Sequence, residues 1–290
     1  MIVSASYRTD IPAFYGRWFL GRLEAGFCRV RNPYGGGLGE VSLRPGEVDG
    51  FVFWTRNLRP LLPELDRVRE VAPFIVQFTL TGYPRSLESS VIAPEDAIAQ
   101  LRELRRRFGP RVAVWRYDPI VLTSELDVAA HRAGFAALAG ALAGTVDEVV
   151  LSFVHPYRKT RRNLDRAARR HGFAWHDPAP EEKRALLGEL AVVAAECGLN
   201  ATLCSQPELA VPGLGEARCI DAGRLSEIAG RPVAAAEKGN RPGCRCALSR
   251  DIGAYDTCPH GCVYCYAVSE RDRAVARFRA HDPEAECLSP

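Results

Sequence analysis

The sequence predicts an α/β protein: a parallel sheet body whose natural closure is a TIM-like (β/α) barrel, followed by a cysteine-rich C-terminal extension. Three observations predict it. Short runs rich in β-branched and aromatic residues alternate with helical patterns over the first two-thirds of the chain. Two of those runs, Gly50–Thr55 (GFVFWT) and residues 74–80 (FIVQFTL), are apolar without alternation, the pattern of strands covered on both faces. After about residue 206, prolines, glycines and cysteines replace the apolar periodicity. Residues 1–205 therefore form the body. Residues 206–290 form an extension packed on it, and a segment with so little core of its own needs a metal or cluster to organise it.

The elements follow in order. Residues 2–6 (IVSAS) read as a strand. Asp10, Ile11 and Pro12 open a helix, with an acidic cap and proline in the first turn, and Trp18, Leu20 and Leu23 share its apolar face. Residues 27–31 make a second strand, followed by a glycine-rich turn at Gly35, Gly36 and Gly37. Residues 58–71 read as a helix interrupted near its start by Pro60 and Pro63. The alternation continues through helix 94–108, strand 112–117 (VAVWRY), helix 129–143 and strand 149–154 (VVLSFV). Helices 162–171 and 181–197 and the short strand 201–204 (ATLC) complete the body, and only residues 270–279 regain helical periodicity afterwards.

At 290 residues, with 47% hydrophobic and 25% charged, the chain has an ordinary globular composition, which excludes a disordered chain and a disulfide-packed miniature. The net charge of +3 is too small to imply a polyanionic partner by itself. No stretch reaches the ~18–20 apolar residues of a membrane span; the nearest, residues 133–146, is short and carries three glycines. The opening MIVSASYRTD has no basic region ahead of an apolar core and does not read as a signal peptide. The expectation is a cytoplasmic protein with no membrane partner.

In parallel α/β folds, functional groups gather at the carboxyl ends of strands. Arg8, Asp10, Arg116 and Asp118 are the candidate catalytic residues of that mouth, within a polar set that also holds Thr55, Arg56, Thr79, Thr81, Ser152, His155 and Cys204. Strand ends are generally polar, so residue type alone singles out none of them. His155 could act as an acid–base group or as a structural histidine. Arg105 to Arg107, and the series Arg158, Lys159, Arg161, Arg162, Arg166, Arg169 and Arg170, could bind phosphate or nucleic acid. With so small a net charge they read better as solvated helix faces.

Ten cysteines are the anomaly, because a reducing cytosol disfavours structural disulfides and clustered thiols there more often hold metal. Seven fall between Cys204 and Cys265. The sharpest feature is Cys258-Pro-His-Gly-Cys262-Val-Tyr-Cys265, a C-x3-C-x2-C spacing. Three thiolates so close on an irregular loop can wrap one face of an iron–sulfur cubane and leave one iron open. Zinc is the competing reading, with His260 as fourth ligand, but that histidine lies between two of the cysteines it would join. Cys204, Cys219, Cys244 and Cys246 form a second set: an auxiliary cluster, a four-cysteine zinc site, or reduced thiols with Cys244 and Cys246 as a redox pair.

The cysteine motif, with Tyr264 before its last cysteine, resembles the radical S-adenosylmethionine (SAM) signature. More widely, RTDIPAF, VFWTRN, WRYDPI and DIGAYDTCPHGCVYCYA resemble a bacterial domain family of unknown function with a radical-SAM-like cluster at its C-terminus. The resemblance implies a 4Fe–4S cluster on Cys258, Cys262 and Cys265. SAM would chelate the open iron, and its reductive cleavage would give a 5′-deoxyadenosyl radical that takes hydrogen from a substrate. Tyr264 would lie near the adenine, and a reductant such as flavodoxin or ferredoxin would deliver the electron. Radical SAM proteins carry this motif after the first barrel strand, whereas here it begins at residue 258. A circularly permuted barrel reconciles the two, with residues 251–256 as first strand, 270–279 as its helix and 2–6 as second strand. No clean Gly-Gly-Glu segment for the SAM amino group is present; Gly35 to Gly37 with Glu40 is a poor stand-in. The alternative of a different class is a zinc- or cluster-stabilised nucleic-acid-binding module without catalysis.

Overall fold

The computed structural model describes residues 1–32, 35 and 37–289. The chain opens with β1 (Ile2–Ala5), α1 (Ile11–Phe14), α2 (Gly16–Ala25) and the strands β2 (Phe27–Arg31) and β3 (Leu38–Ser42), which pair as an antiparallel hairpin. There follow β4 (Gly50–Thr55), α3 (Leu65–Val71), β5 (Phe74–Thr79), α4 (Pro94–Phe108), β6 (Ala113–Ile120) and β7 (Leu122–Thr123). Next come α5 (Val128–Leu142), β8 (Glu148–Phe153), α6 (Arg158–His171), β9 (Trp175–His176), α7 (Pro180–Glu196) and β10 (Asn200–Leu203). The remaining elements are β11 (Gly215–Glu216), α8 (Ala222–Ala229), β12 (Ser249–Asp251) and α9 (Arg271–Arg279).

Eight strands form one sheet in the order β11-β10-β8-β6-β5-β4-β1-β12, and every neighbouring pair is parallel. The ladder has two edges, β11 and β12, so the pairings describe an open sheet where the strand–helix rhythm alone suggests a closed barrel. Both edge strands come from residues beyond 206. β12 lies beside β1, with Ile2 opposite Ser249 and Ser4 opposite Asp251.

Side-chain alternation explains why the strands are apolar throughout. Val3, Phe51, Phe53, Val76 and Trp115 face the helical layer and its main core. Ile2, Val52, Ile75, Val114 and Val150 face the other way, against Ala217, Ile220, Leu225 and Val233 of the extension. The extension thus covers a sheet face that a closed barrel would fill with its own side chains. Further toward the carboxyl ends the same row becomes polar: Ser4, Gln77, Arg116 and Ser152 are buried there. Those positions frame the candidate site.

Local chemistry fixes the helices. Asp10 caps α1 by accepting from the Ala13 amide at 2.9 Å, and Asp127 caps α5 through the Ala130 amide at 2.8 Å. In α4, Pro94, Glu95 and Asp96 occupy the first turn and Arg105, Arg106 and Arg107 the last, which suits the helix dipole. Those arginines are engaged locally: Arg107 pairs with Asp66 at 2.6 Å, Arg106 with Glu103 at 2.6 Å, and Arg105 donates to the Gly144 carbonyl at 3.2 Å. Gly36, in the expected glycine turn, lies outside the described residues. Among the described residues no helix is long and apolar enough to cross a membrane.

In α5, buried His131 bonds the Tyr117 hydroxyl through Nδ1 at 2.9 Å and the Val121 carbonyl through Nε2 at 3.0 Å. Burial lowers its pKa from about 6.5, so folding favours the neutral ring. The stability this confers is complete above the unfolded value and is lost as pH falls through the folded one. Urea midpoints measured from pH 7.5 down to pH 5 are therefore expected to converge for wild type and His131→Gln. A constant gap would contradict neutral burial.

Candidate metal centre at the strand ends

The cysteine loop leaves β12 and returns through α9. Its base is held by buried Asp251, which accepts from Ser4 Oγ (2.8 Å), Ser6 Oγ (2.7 Å) and the amides of Tyr7 and Gly253 (3.0 Å each). Tyr15 donates its hydroxyl to the Thr257 carbonyl at 2.6 Å. The loop also borders residues 84–91: Val263 N donates to Leu87 O at 3.0 Å, and Ser90 N donates to His260 O at 3.0 Å. Gly261 turns the backbone at φ +77°, and a Cβ there would collide with Ser89 Oγ and the Arg271 side chain.

Within this frame Cys258, Cys262 and Cys265 line one cavity of about 290 Å³. None of the three is in a disulfide. Burial pushes Cys258 well above the ordinary thiol value, and Asp10, Cys265 and Cys262 add to that rise. Burial also pushes Cys262 up to about 12, although Arg56 pulls it down. Cys265 is raised by burial against the backbone amides of Ala267 and Val268, the former reaching its sulfur at 3.3 Å. Without a cation these thiols keep their protons; a metal would take the place of those protons. Backbone N–H groups aimed at sulfur are a recognised means of tuning a thiolate-held cluster.

His260 does not join the thiols. Its Nε2 bonds Asp10 Oδ2 at 2.8 Å, and its ring packs edge-on against Phe14 with centroids 4.7 Å apart. Asp10 also accepts from Thr55 Oγ1 at 2.7 Å and the Arg56 amide at 2.8 Å, besides capping α1. It therefore ties α1 and the end of β4 to the loop, with two bonds on each oxygen.

Arg56 anchors the other side. Its guanidinium donates to Glu88 Oε1 at 2.8 Å, Thr81 Oγ1 at 3.3 Å and the Tyr264 oxygen at 2.6 Å, while Tyr264 donates in turn to Glu88. Burial would lower the Arg56 pKa, but Glu88, Tyr264 and Cys262 outweigh it and hold the charge firmly. The hydroxyl of Tyr264 is committed to this network and its ring is buried. Glu88 is absent from the residues singled out by sequence; nothing in the chain marks a pairing 32 positions away.

Helix α6 closes over the loop. Lys159 donates to the Tyr266 carbonyl (3.2 Å), Arg162 to that of Ser269 (3.2 Å) and Asn163 to that of Val268 (3.3 Å), while Arg166 pairs with Glu270 at 3.5 Å. The basic series is thus more than a solvated face. The spacing of 159, 162, 163 and 166 is the stripe of one helical side, a signal the sequence did contain.

Arg116 and Asp118 occupy the centre of the rim. Arg116 is 4% exposed and binds Asp118 through Nε at 3.0 Å and through Nη2, Gln77 Oε1 at 3.1 Å and Cys219 Sγ at 2.9 Å. It also lies 5.0 Å from the Trp54 ring centre. Asp118 accepts from Ser152; burial would raise its pKa, but Arg116 outweighs that and holds it below the ordinary carboxyl value. Arg8 sits between the rings of Tyr7 and Tyr255, at 5.4 and 5.3 Å, with Nε 3.7 Å from Asp251. That Nε is buried without a hydrogen-bond partner, which makes Arg8 the least committed of the four candidates. His155 is exposed and packs on Tyr157 with ring centres 4.5 Å apart.

The second cysteine set also converges. Cys204 Sγ and Cys219 Sγ are 3.6 Å apart, and Cys246, whose sulfur accepts from the Ile220 amide at 3.4 Å, and Cys244 belong to the same inner-face cluster. The bond with Cys246 draws Cys244 down to about 6. Cys246 is lowered by Cys219 but raised by Cys244 and by burial, and stands at about 11. Among the described residues no group of three or more His, Cys, Asp or Glu is placed so that it could hold a single metal ion. The trio lines a cavity, and in the quartet Cys204 and Cys219 meet sulfur to sulfur.

No curated protein and no solved structure matched the chain. A family model did match, and it spans residues 2–267, taking in the sheet, both cysteine sets and the loop through Ala267. The chain therefore belongs to the family described as Domain of unknown function (DUF1848).

Proposed function

We propose that this protein is a radical-SAM-type iron–sulfur enzyme built on a circularly permuted, partly open (β/α) barrel. One observation carries the reading. The order β12, cysteine loop, α9, then β1 as the neighbouring parallel strand is the strand–loop–helix–strand unit that the resemblance requires, divided between the two ends of the chain.

The residues suit a 4Fe–4S cluster. Cys258, Cys262 and Cys265 share one cavity, a backbone amide donates to Cys265, and His260 is committed to Asp10, so the chain offers three ligands and leaves a fourth position for a small molecule. When bound, such a cluster together with SAM supplies one-electron cleavage of the sulfonium and hydrogen abstraction from substrate. The chain's own groups hold and shield that site. Arg56 places fixed positive charge beside Cys262, α6 covers the loop, and Arg8, ion-paired with Asp251, keeps a buried Nε without a hydrogen bond. A cytoplasmic setting and a reductant such as flavodoxin or ferredoxin belong to the same reading.

The nucleic-acid-binding alternative draws on the basic series of α6. That series has local work: Lys159, Arg162 and Arg166 hold the loop, and Arg161 stacks 5.4 Å from the Trp175 ring centre.

Anaerobically reconstituted, reduced protein is expected to convert SAM to 5′-deoxyadenosine, with the product lost in Cys262→Ala. No product from protein with an intact, reducible cluster would contradict the proposal.

A further inference from the structure

We infer that Cys204 and Cys219 are a dithiol–disulfide couple, closed by exchange with a low-molecular-weight disulfide, that staples the cysteine-rich extension to the edge of the sheet. It is separate from the cysteine loop and independent of the function proposed above.

The fold brings the two sulfurs together from different segments. Cys204 follows the last residue of β10, and Cys219 lies just beyond β11. These strands are parallel neighbours, with Leu203 opposite Glu216, and the Ala217 amide donates to the Leu203 carbonyl at 3.0 Å. The backbones are thus held side by side up to the cysteines, and the sulfurs stand 3.6 Å apart. A disulfide bond is about 2.05 Å long, so closure brings them about 1.5 Å nearer. The edge it would fasten is weak, because β11 has only two residues and both are exposed.

Buried thiols without electrostatic help are inert. Here each sulfur has its own guanidinium: Arg116 Nη1 donates to Cys219 Sγ at 2.9 Å, and Arg241 Nη2 to Cys204 Sγ at 3.6 Å. These donors stabilise the thiolate as exchange proceeds. At rest the thiols are protonated. The contact with Cys219 and burial push Cys204 well above the ordinary thiol value, while Cys219 is lowered by Cys204 but raised by Cys246 and by burial to about 12. A reduced pair with so little thiolate character is not stabilised against oxidation, which favours the disulfide at equilibrium.

The reaction is an exchange. Cys204 is 7% exposed and Cys219 2%, so Cys204 meets the small disulfide first. Its sulfur attacks, forming a mixed disulfide and releasing one small thiol. The Cys219 sulfur then attacks that of Cys204 and releases the second. Both cysteine protons end on the small thiols; the protein pair is oxidised and the small disulfide reduced.

The full chain, purified without oxygen and kept folded, is incubated with hydroxyethyl disulfide, alkylated in denaturant and digested with trypsin without reduction. Cleavage after Arg218 and Arg224 isolates Cys219 in the peptide 219–224. That peptide is expected to be linked to the one carrying Cys204 in most chains, with fragmentation distinguishing Cys204 from Cys197. The urea midpoint should rise on oxidation and return with dithiothreitol, and Cys219→Ala should lose both the link and the shift. If Cys219→Ala does not fold, the wild-type peptide map decides alone. A mixed disulfide that persists on Cys204, a link to Cys244 or Cys246 instead, metal retained on either cysteine, or two cysteines that stay thiols would each overturn the inference. Absence of SAM cleavage from protein that forms this link would sink the radical-SAM reading and leave this one standing.

Discussion

Arg56→Met is expected to cost about 3–5 kcal/mol of stability, because it strands a buried carboxylate. Glu88 is 3% exposed and receives hydrogen bonds from Arg56, Thr81 and Tyr264. Removing the guanidinium leaves the two hydroxyls but no compensating charge. Arg56→Met with Glu88→Gln should recover a large part of the loss, since an amide costs far less to bury than an unpaired carboxylate. Denaturant titration of wild type, both single variants and the double gives the coupling directly. A loss below about 1 kcal/mol for Arg56→Met would mean that the pair behaves as an exposed ion pair and does not anchor the loop.

The strand-rich body was largely legible in the sequence. Gly50–Thr55 is legible to the residue, and so is Pro94–Phe108, because a proline at the first turn and a glycine after the last mark its ends. The sheet's closure was not legible. An apolar strand records that both faces are covered, not what covers them. Here the inner face is met by Ile220, Leu225 and Val233, whose spacing carries no periodic signal. The strand expected at residues 251–256 lies earlier, at Ser249–Asp251: Ser-Arg-Asp has little strand propensity, and it pairs with β1 because Asp251 collects bonds from Ser4, Ser6 and Tyr7, more than 240 positions away. The hairpin strand β3 and the Asp221-capped α8 were likewise unread.

The candidate site divides in the same way. The C-x3-C-x2-C trio is visible because its cysteines are local in sequence, and the structure gathers them around one cavity. The quartet was visible as a count of cysteines, while its connectivity needed the fold. Arg116 and Asp118 lie within β6, which runs on to Ile120, and Asp10 caps α1; their bonds make them supports of the loop and rim. Arg56 and Glu88 form a pair that only tertiary contact defines.

The second large expected effect concerns the trio itself. Changing Cys258, Cys262 and Cys265 together to Ala is expected to remove all cluster iron, because no other group in the loop can replace the lost ligands: His260 is held by Asp10 and Tyr264 by Arg56 and Glu88. The fold should survive the change, since the loop keeps its bonds from Asp251, Ser90 and α6. Loss of SAM cleavage should follow the loss of iron and not a loss of folded protein.

Iron, acid-labile sulfide and zinc per chain, measured on protein purified without oxygen, test the central claim most directly. About four irons with about four sulfides are expected in the wild-type chain, and both should disappear from the triple variant. Stoichiometric zinc on the trio with no sulfide, persisting after cluster reconstitution, would contradict it and make the loop a structural zinc site.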